Sequence, residues 1–433
     1  MPSRDEVNYF GAGPAPLPTA VLEECARALV NFNNTGLSLA EISHRSPTAN
    51  KVIADTKDAL STLLDIPTDT YEILFLQGGG SGEFSAVVQN LVSAWVERRR
   101  RRARVRREIE TELRVDYLVT GSWSLKASQE AARLIGSRYV NVALDTRKAG
   151  GANGKAFTSI PQDDKLWAGQ LTTPRRNAAF VYFCDNETVD GVEFPSFPAA
   201  LEGGNEETVV VADMSSNFLS RRVDVNKYGV IFAGAQKNLG IPGITLAIVR
   251  KSLLTLVPPP TFLHSLAGSL PNAIPPIVFD FATIAKNNSL YNTLPVFSLY
   301  VATVVLQSLV RRFAGAKVAG QEEEAGLKAA RIYAALDAHP DAYHVLPDRA
   351  VRSRMNICFR VLPAAAAADT TSTSAVGDAD REAAFIKGAE ARGLLGLKGH
   401  RSVGGIRVSN YNAVSVSAVD KLVAWIDEFA TTQ

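Results

Sequence analysis

A lysine that follows a long apolar run can serve as a nucleophile, and Lys237 stands at such a place. The stretch Tyr228 to Gly243, YGVIFAGAQKNLGIPG, is apolar up to Gln236, Lys237 and Asn238 and then breaks into glycine and proline. That order reads as a buried strand ending in a tight loop. Beside a dry interior an amine keeps a neutral, nucleophilic fraction, which is what a Schiff-base lysine needs. Asp213 closes an earlier apolar run, TVVVAD. An aspartate and a lysine at the ends of two such strands suit a cofactor with a pyridinium nitrogen on one side and an aldehyde on the other. Two of the five histidines stand directly before an arginine, His44-Arg45 in EISHRSP and His400-Arg401 in LKGHRSVGG. A dianionic phosphate is the ligand that would use such duplicated cationic clamps, and Arg407 can take a carboxylate by a bidentate bond. Taken singly, each feature also fits a solvated turn.

The elements that must position these residues follow from the hydrophobic pattern. YEILFLQGGGSGEFSAVVQNLVSAW, from Tyr71, is a strand, a glycine turn and a helix, a layout whose bare helix-terminal amides can hold an anion. Its spacing is neither GxGxxG nor GxxxxGK[ST], so it carries neither the dinucleotide fingerprint nor the P-loop. Apolar runs recur at Val115, Ser137, Ala178 and Thr208, with helices or loops between several of them. This rhythm predicts an α/β fold with a mainly parallel sheet, where ligands bind beyond the carboxyl ends of the strands. Ser122, Trp123, Asn186 to Thr188, Asp213, Ser215, Gln236 and Lys237 all lie at such ends. After about Asn292 the pattern changes to long helices and a strand at RMNICFRV. We therefore expect an N-terminal arm over residues 1–18, a large domain over 19–291 and a smaller α+β domain over 292–433. The arm, rich in Gly and Pro, should run over the surface. A helix should follow it with Thr19 as N-cap. Residues 363–378 read as a mobile loop.

The chain has 433 residues with 46 Lys and Arg against 44 Asp and Glu, so overall charge gives no argument for nucleic acid or a membrane surface as partner. The arginine run Arg98 to Arg107, within an insertion spanning 98–112, reads as solvated, with glutamates following and no aromatics interleaved to stack on bases. Its removal should leave activity intact, whereas an RNA- or DNA-binding protein would depend on it. Cys25, Cys184 and Cys358 are far apart and form no CxxC, so neither a disulfide framework nor a metal site is expected. The first residues show no signal-peptide pattern and no uninterrupted apolar run is long enough to span a membrane, which points to the cytoplasm.

These segments together identify the chain as a member of the phosphoserine aminotransferases, in the class V pyridoxal-phosphate group. The likeness rests on FGAGPAPLP, EISHRSP, LFLQGGGSGEFSAV, CDNETVDGVEF, VVVADMSSNFLSR, VDVNKYGVIFAGAQKNLGIPG, SLYNTLPVFSLY, RSRMNICF and LKGHRSVGGIRVSNYNA, and covers nearly the whole chain. The resemblance implies a fold-type I transferase with a mainly parallel seven-stranded sheet and the cofactor pyridoxal 5′-phosphate. It implies that Lys237 is catalytic, that Asp213 pairs with the ring nitrogen, that Trp123 stacks on the ring and that Thr188 meets its hydroxyl side. The cofactor phosphate would lie on Gly80, Ser81, Ser215 and Gln236, with Asn292 and Thr293 of a neighbouring subunit. The substrate phosphate would lie between His400-Arg401 and the neighbour's His44-Arg45, with Arg407 on the carboxylate. A homodimer with shared sites follows, as does amino transfer from glutamate to 3-phosphohydroxypyruvate. Two departures stand out: Ser81 replaces an arginine of some members, and GAGPAP replaces a serine pair. Another class V enzyme, such as an alanine-glyoxylate transaminase or a cysteine desulfurase, would not need two His-Arg pairs.

Overall fold

Continuous apolar runs form strands when both faces of a sheet are covered, and seven of them build the centre of this molecule. The computed structural model describes residues 3–100, 105–149, 156–202, 209–364 and 377–432. The central strands are β1 (Tyr71–Leu76), β2 (Arg114–Val119), β3 (Val140–Asp145), β4 (Ala178–Cys184), β5 (Val210–Asp213), β6 (Val230–Gly234) and β7 (Thr245–Arg250). Their order is β1-β7-β6-β5-β4-β2-β3. Only β7 runs against its neighbours, so the sheet is mostly parallel.

Helices α1 (Gly79–Arg99) and α2 (Ser122–Ile135) cover one face. Val88, Leu91 and Ala127 meet Leu74, Val119, Tyr182, Val211 and Phe232 there. Alternate residues of the same strands, Ile73, Phe183, Ala212 and Ile231, form the opposite core with Leu60, Leu299 and Leu306. Leu299 and Leu306 belong to α3 (Val296–Phe313). By length and composition α3 could cross a membrane. It is instead packed in this core, and its Thr303 Oγ1 bonds Thr56 Oγ1 at 2.7 Å.

Beyond α3 the chain builds a second, antiparallel sheet from β8 (Tyr343–Val345), β9 (Asn356–Val361) and β10 (Ile406–Ser409). It packs on α4 (Val318–Ala338), the helix Ala379–Ala391 and α5 (Val416–Thr431) through Ile332, Phe359, Phe385 and Leu422. Of the expected loop over 363–378, residues 365–376 lie outside the described residues.

Three expectations are corrected. The N-terminal arm is only in part a surface strap: Tyr9, Gly13, Pro14 and Pro18 are exposed, but Phe10 is fully buried, and Asn8–Tyr9 pairs in parallel with Leu394–Leu395. A segment without regular structure must find partners for its backbone groups elsewhere, and the two ends of the chain supply them. The arginine run is not simply solvated. Arg99 is only 4% exposed, its guanidinium lies 3.8 Å over the Trp95 ring, and its Nη2 donates to Arg176 O at 2.6 Å. A guanidinium is planar and weakly hydrated on its faces, so it can enter a core that satisfies its edge. Arg100 pairs with Glu97 and Arg106 donates to Ser265 O, while residues 101–104 lie outside the described residues. Thr19 is the first residue of the helix Thr19–Val30, whose N-cap is Pro18.

Candidate active site

The carboxyl ends of β1, β2, β4, β5 and β6 open on one edge of the sheet, and most of the singled-out residues gather there. Asp213, the last residue of β5, is opposite Cys184 on one side and Phe232 on the other. Its Oδ1 accepts from Ser215 N at 2.9 Å. Burial raises its carboxyl above the usual range, opposed by hydrogen bonds from Ser215, by the charge of Lys237 and by Tyr182. Ser215 Oγ in turn accepts from Gly234 N at 3.1 Å, which ties β5 to the end of β6.

At β1 the chain turns through Gly78, whose φ of 114° excludes most side chains, straight into α1. A Cβ on Gly80 would stand 3.7 Å from Ser215 Oγ and 3.9 Å from Asp213 Oδ2. The helix N-terminus therefore faces the aspartate across a space that glycine leaves free. Ser81 follows Gly80 in this first turn. Gln236 folds back over Gly234, where an added Cβ would come 2.5 Å from its Oε1.

Trp123 sits in the first turn of α2, held by a buried acid: Glu187 accepts from Trp123 N at 2.8 Å, Ser124 N at 2.9 Å and Ser124 Oγ at 2.5 Å. Asp190 Oδ2 takes Ser122 N at 2.7 Å. Two carboxyl groups thus satisfy donors that a helix start leaves open, and they anchor the backbone that carries Trp123. Lys126, one turn later, places its Nζ 4.4 Å over the Trp123 ring. Thr188 is buried beside Glu187, and its carbonyl accepts from Arg407 Nη1 at 3.3 Å.

Arg407 lies on β10, and His400 and Arg401 lie in the loop before it. His400 is pushed below its usual range by partial burial first, then by the charges of Arg407, Lys126 and Arg401. Its Nδ1 meets Ser402 Oγ at 2.6 Å. Four cationic or potentially cationic side chains therefore converge beside Trp123.

Not all expected residues join. Among the described residues no hydrogen bond links His44, Arg45, Asn292 or Thr293 to this cluster. Arg45 is exposed, and His44 Nε2 is buried without a partner. The Thr293 carbonyl accepts from Gln77 Nε2 at 3.0 Å, beside the glycine turn.

Three residues escaped the sequence reading. Lys237 Nζ donates to Tyr411 Oη at 3.1 Å. Tyr411 lies four residues after Arg407, and it carried no signal because 174 positions separate it from the lysine. Lys126 could have been found as the helical i+3 neighbour of Trp123. Glu83 is fully buried on α1 one turn after Gly80, and neither oxygen has a hydrogen-bond partner among the described residues. Its carboxyl is pushed up to about 8, by burial first and by the charge of Asp213 second. The described residues contain no grouping of three His, Cys, Asp or Glu able to hold a metal ion.

A parallel sheet with a lysine, an aspartate and a glycine turn at its carboxyl edge defines a class of group-transfer enzyme. The family model described as aminotransferase class-V matches residues 7–110 and 162–422, and the chain belongs to that family. It is 45% identical to the phosphoserine aminotransferase of Saccharomyces cerevisiae over 99% of this chain and 98% of that protein. The solved phosphoserine aminotransferase of Bacillus circulans subsp. alkalophilus gives a TM-score of 0.78 at 33% identity, covering 98% of both chains. The PLP-bound phosphoserine aminotransferase of Trichomonas vaginalis gives 0.76 at 33% identity, covering 97% of this chain and 99% of that one. These likenesses place it in the phosphoserine aminotransferase branch of the family.

Proposed function

We propose that the chain performs phosphoserine transamination at a site completed by a second copy of itself. The reaction passes the amino group of L-glutamate to 3-phosphohydroxypyruvate and yields O-phospho-L-serine and 2-oxoglutarate in two half-reactions, a step of L-serine synthesis. The cofactor is pyridoxal 5′-phosphate. The residues present suit it: a buried carboxyl at Asp213, an amine at Lys237, and the helix start at Gly80, whose missing side chain leaves the space facing Ser215 and Asp213 open.

Bound there, pyridoxal phosphate supplies an aldehyde carbon that takes amino groups covalently and a ring that accepts electron density from the substrate Cα. Asp213 would hold the proton on the ring nitrogen, whose positive charge would offset the burial that now disfavours the carboxylate. The first turn of α1 at Gly80 and Ser81, with Ser215 and Gln236, would take the cofactor phosphate. Trp123, fixed by Glu187, would cover one ring face and keep water from it, with Thr188 at the hydroxyl side. Lys237 Nζ would carry the proton between the two carbons that exchange it.

Lys126 stands over Trp123, Arg407 reaches the Thr188 carbonyl, and His400 feels the charge of both and of Arg401; this grouping of cations supports a substrate carrying both phosphate and carboxylate. Arg407, its guanidinium steadied by the Thr188 carbonyl, suits the α-carboxylate, and His400 with Arg401 suits the phosphate. In this reading His44, Arg45, Asn292 and Thr293 serve the site of a partner subunit; among the described residues no hydrogen bond ties His44 or Arg45 to the Lys237 cluster, while Thr293 reaches the glycine turn through its carbonyl. We place the protein in the cytoplasm, where its three buried, unpaired cysteines suit a reducing setting.

The test is spectroscopic. Adding O-phosphoserine to purified holoenzyme should bleach its visible absorbance, and 2-oxoglutarate should restore it. A spectrum that answers to glutamate and ignores phosphoserine would overturn the substrate assignment.

A further inference from the structure

Around Lys237 three hydrogen bonds meet at one oxygen. The phenol of Tyr411, fully buried, receives Lys237 Nζ at 3.1 Å and Asn356 Nδ2 at 3.2 Å, and it lies 2.9 Å from the carbonyl oxygen of Ala12. A carbonyl can only accept, so the single proton of the phenol is committed to Ala12 O. Asn356 is fixed as a donor as well: its Oδ1 accepts from Asn186 Nδ2 at 2.8 Å, and its Nδ2 also reaches Ser409 Oγ at 3.1 Å. The phenol oxygen is left with no proton to offer Lys237. It can only accept.

We propose that Tyr411 is a further catalytic residue, whose phenol holds the Lys237 amine through one N–H and so leaves the nitrogen lone pair free to take the proton from the substrate Cα. Had the phenol donated, it would have occupied that lone pair. The inference rests on the transaminase reading of Lys237. It adds a docking point for the amine whenever the nitrogen is not bonded to another carbon.

The frame around Tyr411 is built to hold still. Its carbonyl accepts from the fully buried Lys328 Nζ at 3.0 Å, and the same ammonium reaches Val414 O at 2.7 Å. Next in the chain, Asn412 N donates to Asn238 Oδ1 at 2.9 Å, and Asn412 Nδ2 to Leu219 O at 3.0 Å. On the lysine side Ala15 N donates to Gln236 O at 2.8 Å. The arm, the lysine loop and the segment 410–414 therefore meet at the amine. The close fit extends to Gly13, where an added Cβ would come 2.7 Å from Lys237 Cε. Across the site Asp213 is a carboxyl that feels the charge of Lys237.

Tyr411→Phe keeps the ring and removes the acceptor. In the holoenzyme we expect kcat to fall by about 10- to 100-fold with the KM for phosphoserine within about twofold. The second readout uses apoenzyme: covalent capture of added pyridoxal phosphate, with loss of water, followed by absorbance across pH. An acceptor favours the charged amine, so its removal should move the midpoint of capture to lower pH. A midpoint that rises would show that the phenol had been the donor, and an unchanged kcat would remove its role; either result overturns the proposal. Where Phe does not fold, 3-fluorotyrosine at position 411 keeps the shape and weakens the acceptor, so the same downward shift is required. Should the parent protein itself fail to capture pyridoxal phosphate, the transaminase reading falls, a different outcome from all of these.

Discussion

Glu83 carries an unrelieved cost beside the site. A carboxyl with no hydrogen-bond partner among the described residues, buried near the charge of Asp213, is stable only while it keeps its proton. Its folded-state value of about 8 lies above the ordinary glutamate range. Its favourable contribution is therefore full below about pH 4 and is lost as pH rises through the folded value. Glu83→Gln removes that dependence. Relative to the Gln variant, the parent should lose stability steadily from about pH 5 to 8, by a few kcal/mol at roughly 1.4 kcal/mol per pH unit. Melting temperatures of both proteins across that range check it, and parallel curves would show that Glu83 finds a partner. The bond from Lys237 to Tyr411 belongs to the same scale, since one hydroxyl decides the direction in which the amine donates.

Among the elements, α1 performs two tasks at its two ends. Its N-terminus presents Gly80 to Ser215 and Asp213, and its C-terminus is anchored by Arg99 on Trp95. Trp95 Nε1 and Arg99 Nη2 share the carbonyl of Arg176, which joins the helix to the strand β4 that follows Arg176 by two residues. Arg99→Ala should cost about 2–4 kcal/mol, the sum of a buried cation–π contact and a charge-assisted hydrogen bond. Denaturant unfolding measures it, and a loss below about 0.5 kcal/mol would return the arginine run to the solvent-exposed role its composition suggests. Composition misled here because a string of like charges says nothing about which member meets an aromatic ring.

For the molecule as a whole, the residues left outside the Lys237 cluster carry the argument for a dimer. A His44→Ala/Arg45→Ala protein and a Lys237→Ala protein should each be inactive or nearly so. Mixed and reassembled, half the dimers would pair one of each and hold one complete site, so about a quarter of parental activity should return. Activity that stays at the level of the separate variants would place both residues in the site of their own chain. The sequence by itself determined the layering, because continuous apolar runs separated by helical stretches leave few ways to bury both faces of a sheet. It also placed Asp213, Lys237 and the glycine turn at strand ends and put His400, Arg401 and Arg407 close together in the chain, since strand ends and chemical types are local properties. Only the tertiary structure decided what stands beside them. Tyr411 reaches Lys237 across 174 positions, Glu187 fixes Trp123 across 64, and the arm closes over the lysine from the other end of the chain. Such contacts come from packing distant segments together, and no window of sequence contains both partners.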